Sequence, residues 1–233
     1  IFLFMQGGPS HVDSFDYKPL LDEKDGQTFV FDDARVIAKT GKQSSQKVMK
    51  PLWKFKQHGE SGLWASDLFP HMAGKVDKLC MLHSMHTEGV AHGPATLFLH
   101  CGANNFVRPS MGSWINYGLG SENENLPGFI SIAPSPGNGG ARNYGNAFLP
   151  PVYQGTRFRS TGSPVLDLEP EVERPPGVVE LKRDLLARLD KNHRDQRPGQ
   201  PVLDARISNY ELAARMQLAA SHTLDLSQES AET

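Results

Sequence analysis

Three hydrophobic patterns alternate along the chain. Residues 1–5, Ile-Phe-Leu-Phe-Met, are continuously apolar, which predicts a strand buried on both faces of a parallel sheet. Gly7-Gly8-Pro9 then rules out a short buried helix. Residues 19–50 are polar and irregular, with a turn at Asp25-Gly26. Residues 52–66 alternate apolar and polar side chains around a glycine-containing turn and predict a small hairpin. Residues 66–79 place Leu68, Met72, Val76 and Leu79 on one helical face, with Ser66 or Asp67 as N-cap and Pro70 in the first turn. A second strand is predicted at 79–85. Helices are predicted at 93–102, with Gly102 just past the end, and at 111–119. A third strand is predicted at 128–133.

The predicted order strand, helix, strand, helix, helix, strand is that of a parallel sheet with helices on both faces. Residues 133–177 break the pattern: fifteen of these 45 residues are Gly or Pro. A stretch of that length without elements of its own reads as a functional loop or an insertion over the domain. Two helical patterns follow. Val178, Leu181, Leu185 and Leu189 share a face in 178–192, and Ile207, Tyr210, Ala214 and Leu218 do so in 204–219.

Composition narrows the class. With 38% hydrophobic and 21% charged residues, the chain carries enough apolar matter for a core. The net charge of -2 gives no basic excess for nucleic acid, and no run reaches the length of a membrane span. Cys80 and Cys101 are too few for a disulfide framework and read as free thiols or a single bridge. The chain begins inside an apolar run without a Met, so we read it as a processed or truncated piece; a removed export signal would leave no trace.

Candidate chemistry collects after the predicted strands, where open α/β sheets bind ligands. The turn "GGPSHVDSFD" carries Ser10, His11, Asp13 and Asp16, donors of the kind divalent metals use. The competing reading is a polar turn bonded to its own backbone. The segment "HSMHTEGVAH" carries His83, His86, Thr87, Glu88 and His92. His86 and His92 suit a metal or proton transfer, Thr87 is a hydroxyl a base could activate, and His83 reads as a packing residue. In "NNFVRPSMGSW", Arg108 suits an oxyanion or a loop tether, and Ser110 suits a helix cap. A nucleotide site would rest on the Gly-Gly pair alone, without the P-loop Lys-Ser/Thr, and ranks last.

The motifs "FLFMQGGPSHVDSFDYKP", "FKQHGESGLWASDLFPHMA", "LCMLHSMHTEGVAHGPA", "RPSMGSWINYGLGSENENLPGFI" and "ISNYELAARMQ" resemble, in order and over nearly the whole chain, the bacterial family called domain of unknown function 1501. That family is placed in the alkaline-phosphatase/sulfatase superfamily. The resemblance implies an alkaline-phosphatase-like α/β core, incomplete at the C-terminus, of which residues 1–233 are the N-terminal part. It implies an exported protein, periplasmic or extracellular, that hydrolyses a sulfate or phosphate ester with a divalent metal ion (Ca, Zn or Mg). The substrate would be a small molecule or a glycan ester. By the same resemblance Asp13, with His11 and Asp16, matches the metal site. The nucleophile position falls between Thr87 and Pro94 and takes in Thr87 and His92, while His86, one residue earlier, and Ser10 and Arg108 as substrate contacts, are candidates by residue type. Neither cysteine stands in the Cys-x-Pro/Ala-x-Arg setting of type sulfatases, which argues against ordinary sulfatase chemistry. Whether the chain is an enzyme is left open, and these residues by themselves are expected to be inactive. The alternative is a non-catalytic exported module that binds sulfated glycans.

Overall fold

The computed structural model describes residues 1–31, 44–85, 87–89, 91–134, 136–166, 168, 172, 175–223 and 229–230. The chain divides into two compact units, Ile1–Thr87 and Glu88–Thr233.

The first unit is built on two hairpins. Helix α1 (Pro19–Glu23) starts on a proline, whose missing N–H is no loss in a first turn. Strands β1 (Thr28–Phe31) and β2 (Ser44–Lys47) pair antiparallel, closed at one end by Gly26 N–H on Val48 O at 2.9 Å. The polar stretch 19–50 therefore holds a helix and a hairpin that its composition did not announce. The predicted hairpin over 52–66 is present as β3 (Phe55–His58) and β4 (Leu63–Ser66), in antiparallel register from Phe55↔Ser66 to His58↔Leu63. Gly59 and Gly62 turn the chain at φ +63° and +65°, a region closed to most side chains.

Asp77 clamps that turn. Its carboxylate accepts the N–H groups of Ser61 (2.8 Å) and Glu60 (3.1 Å), and these bonds hold its pKa below the ordinary carboxylate value. Asp77→Ala is expected to accelerate amide hydrogen exchange at Glu60 and Ser61 while amides of the second unit keep their rates. Unchanged exchange at both positions would refute the clamp.

The helix predicted over 66–79 is shorter. Pro70 starts α2 (Pro70–Ala73), Gly74 ends it, and a 3-10 turn follows at Val76–Lys78. Neither Ser66 nor Asp67 caps it: Ser66 is the last residue of β4, and Asp67 Oδ1 accepts Lys54 N–H at 3.1 Å. Ala65, Ala73 and Val76 form the small core, with Phe15 and Leu63 packed against it. No strand forms at 1–5 or at 79–85, and Leu3 is 85% exposed. A continuous apolar run signals burial but names no partner. A strand exists only where a neighbour takes its N–H and C=O groups.

In the second unit, α3 (His92–Cys101) ends on Gly102 at φ +68°, as its sequence predicts. Helix α4 (Met111–Leu119) also matches its predicted range. The predicted third strand is present as β5 (Ile130–Ile132). It pairs parallel with β6 (Thr156–Phe158), which lies inside the Gly/Pro-rich stretch. That stretch is thus part of the fold and not only a loop: Phe158 and Leu168 pack with Met216 in the core of the unit, flanked by Leu126, Ile130, Val165 and Leu212.

Helices α5 (Pro176–Asp195) and α6 (Pro201–Thr223) complete the unit. Of the predicted α6 stripe, Ile207 is buried, Ala214 half-buried and Tyr210 exposed, and the side chain of Leu218 lies outside the described residues; the helix also buries Ala205 and Met216, with Leu212 packed against the core. On α5 the predicted stripe of Val178, Leu181, Leu185 and Leu189 is exposed. Periodicity gave the helix correctly without saying what its face would meet.

Both cysteines are free thiols. Cys80 is exposed, whereas Cys101 is buried and bonds Arg142 O at 3.1 Å, and burial raises its pKa. A thiol reagent is expected to label Cys80 in the native protein and Cys101 only on unfolding. Equal labelling rates would contradict this placement.

Candidate functional site

The "GGPSHVDSFDYK" segment is folded against the β3–β4 hairpin by its own aromatic residues. Phe15 stacks on Phe69 with ring centroids 5.4 Å apart. Tyr17 packs on Phe55 (5.1 Å) and Trp64 (4.6 Å). The fully buried Ser66 donates its hydroxyl to Asp13 O at 2.6 Å and its N–H to Ser14 O at 2.9 Å. Gly7 and Gly8, at φ +100° and +74°, supply the turn that leads in. A 3-10 turn at His11–Asp13 follows, tied by Ser14 Oγ to the carbonyls of Ser10 (3.0 Å) and His11 (3.2 Å).

Asp16, set between the two anchored aromatics, gathers the polar groups. Its Oδ1 pairs with Lys18 Nζ at 2.8 Å and with His83 Nδ1 at 3.5 Å. Its Oδ2 lies 3.9 Å from His11 Nε2. The carboxylate is 19% exposed and the two imidazoles more so, so ligands can reach the cluster from solvent. The bond from Lys18 is the largest cause holding the Asp16 pKa below its ordinary value; burial opposes it, and the charges of Lys18, His83 and His11 each lower the pKa further by less than burial raises it. Beside His83 the backbone is unusual: Ser84 sits at φ +61°, a left-handed conformation rare outside glycine that gathers at functional sites.

The other predicted residues are placed as follows. Leu52 N–H binds one oxygen of the Asp13 carboxylate at 2.9 Å. Thr87 is exposed, in the first unit; His92 opens α3, in the second. His86 lies outside the described residues. Arg108 is exposed. Ser110 stands at the N-cap position of α4, but its buried hydroxyl bonds Ser113 Oγ (3.0 Å) in place of a backbone N–H. Ser113 Oγ in turn donates to Gly145 O at 3.0 Å, tying α4 to the loop.

Metal donors are less well assembled. Among the described residues no group of three or more His, Cys, Asp or Glu converges to hold a metal ion. At Asp16 an ammonium already pairs with one oxygen, and the donor set of one carboxylate facing three cationic or cation-capable groups does not fit a metal cage. It fits a surface that meets an anion.

The family model described as "Protein of unknown function (DUF1501)" matches residues 1–233. The chain belongs to this family. No curated protein and no solved structure matches it. Among the described residues, no helix of this DUF1501 protein is long and apolar enough to cross a membrane.

Two residues of the cluster escaped the sequence reading. His83 reads as a packing residue in an apolar run, yet it reaches Asp16. Lys18 lies two residues past the "GGPSHVDSFD" turn, and its residue type alone marks no site. A signal for Lys18 exists: Phe15 and Tyr17 alternate with Asp16 and Lys18, so anchoring one pair presents the other. For His83 there is no such local signal, because the contact joins segments far apart in the sequence.

Proposed function

We propose that the protein is an exported hydrolase of sulfate or phosphate esters, built on a parallel α/β core of the alkaline-phosphatase/sulfatase type. The observation that supports this reading best is the meeting of two distant polar motifs at Asp16. His11, His83 and Lys18 face one carboxylate there, giving a cationic rim that suits the oxygens of an ester dianion. A protonated imidazole in this rim can donate to the leaving alcohol oxygen as the ester bond breaks. Thr87 is the proposed hydroxyl nucleophile, His86 and His92 are the proposed proton-handling groups, and Ser10 and Arg108 are the proposed substrate contacts. A divalent ion belongs to the proposal because the family resemblance implies it, with Asp13 as its candidate ligand; the Asp16 cluster does not hold it. Turnover of aryl sulfate and aryl phosphate by the intact protein, measured before and after chelation, tests it. The reading expects hydrolysis that chelation removes and Ca, Zn or Mg restores. Hydrolysis indifferent to chelator removes the metal from the account.

A second reading is a non-catalytic module that binds sulfated glycans. It is favoured by the internal commitments of the two carboxylates, Asp13 to Leu52 and Asp16 to Lys18. Glycan binding without turnover of either ester is its expected signature.

A further inference from the structure

A second concave site lies wholly within the second unit, between α4, the 3-10 turn Pro151–Tyr153 and α6. It is an open cleft of about 490 Å³, lined by Asn116, Tyr117, Asn123, Tyr153, Asn209 and Arg215, among others. That volume lies within the usual range for small-ligand sites, about 300–1,000 Å³.

The walls are fixed before any ligand arrives. Asn123 Oδ1 accepts the N–H groups of Asn125 (2.8 Å) and Leu126 (3.1 Å), which rigidifies the loop after α4. Arg215 Nε donates to Glu124 O at 2.8 Å and fastens that loop to α6. Asn116 lies against Gly128, where a Cβ would come within 2.5 Å of its Oδ1. Tyr117 and Tyr153 meet edge to face, centroids 5.2 Å apart, and form an aromatic corner. Tyr117 is 51% exposed, a large ring presented to solvent beside three amides.

The lining selects a ligand class. Glu124 and Arg215 are the charged residues in the lining, so the cleft can pair one anionic substituent of a sugar chain and leaves any others outside it. Amides both donate and accept, as adjacent hydroxyl groups of a sugar require. The aromatic corner offers an apolar face for the C–H side of a pyranose. Arg215, with one nitrogen committed to Glu124, suits a single sulfate or carboxylate substituent.

We infer that this cleft binds one or two units of an oligosaccharide. The inference rests on the glycan ligand of the second reading above, and it holds whether or not the protein is catalytic. Titration calorimetry of the intact protein with cellohexaose and with a chondroitin sulfate hexasaccharide tests it. One of the two is expected to bind, Tyr117→Ala to weaken that binding about tenfold, roughly the 1.4 kcal/mol of one lost ring contact, and the exposed Asn209→Ala to weaken it several-fold without lowering the melting temperature. Stronger binding of the sulfated sugar, lost in Arg215→Gln, would assign the substituent to Arg215. Binding that survives both Tyr117→Ala and Asn209→Ala overturns this cleft while leaving the glycan reading standing. Binding of neither sugar overturns both.

Discussion

Phe158→Ala is expected to cost the second unit about 3–5 kcal/mol, the usual penalty for emptying a buried phenylalanine site. Phe158 is 5% exposed and forms the centre of the cluster with Leu168 and Met216. It also occupies the end of β6, opposite Ile132 in the parallel pair. One side chain therefore joins the Gly/Pro-rich stretch to the last helix. Domains are stable by about 5–15 kcal/mol in total, so a loss of this size leaves the unit close to unfolding. Guanidinium unfolding followed by Trp114 fluorescence in a Trp53→Phe, Trp64→Phe background reads it. Ile132→Ala serves as the control, because Ile132 is 71% exposed and should move the midpoint little. Equal effects of the two substitutions would show that the core has been misplaced.

Asp16→Ala is expected to act in the opposite manner, with a small effect on stability and a large one on function. Its pairs lie near the surface, where ion pairs contribute about 0–1 kcal/mol. Its role in the proposal is to position His11, His83 and Lys18 around an incoming ester. Losing that arrangement should lower turnover about a hundredfold, the lower end of what positioned proton transfer supplies. Asp16→Glu keeps the charge and should recover part of the rate. A merely structural role would give a lower melting temperature, with activity per folded molecule unchanged.

The sequence predicted what local periodicity controls. The hairpin at β3–β4 follows from alternation around Gly59 and Gly62. The helices α3, α4, α5 and α6 follow from spacing, and the end of α3 from Gly102. What depends on a distant partner was not legible. The apolar runs at 1–5 and 79–85 read as buried strands, yet neither run forms one. Strand β6 is three residues long inside a Gly/Pro-rich stretch, and only its pairing with β5 defines it. The site shows the same division. The residue types in "GGPSHVDSFDYK" pointed to polar chemistry, but the neighbour that matters, His83, is fixed by tertiary folding. Asp13 and Ser110, both singled out by type, are engaged with Leu52 and with Ser113.

The measurement that bears most directly on the proposed function is turnover of aryl sulfate and aryl phosphate by the intact protein and by its His83→Ala variant, with Ca, Zn or Mg supplied. The account predicts hydrolysis of at least one ester by the native protein. It predicts a rate about a hundredfold lower in His83→Ala, with the melting temperature unchanged. Absence of turnover under all three metals, or a variant as fast as the native protein, would contradict it.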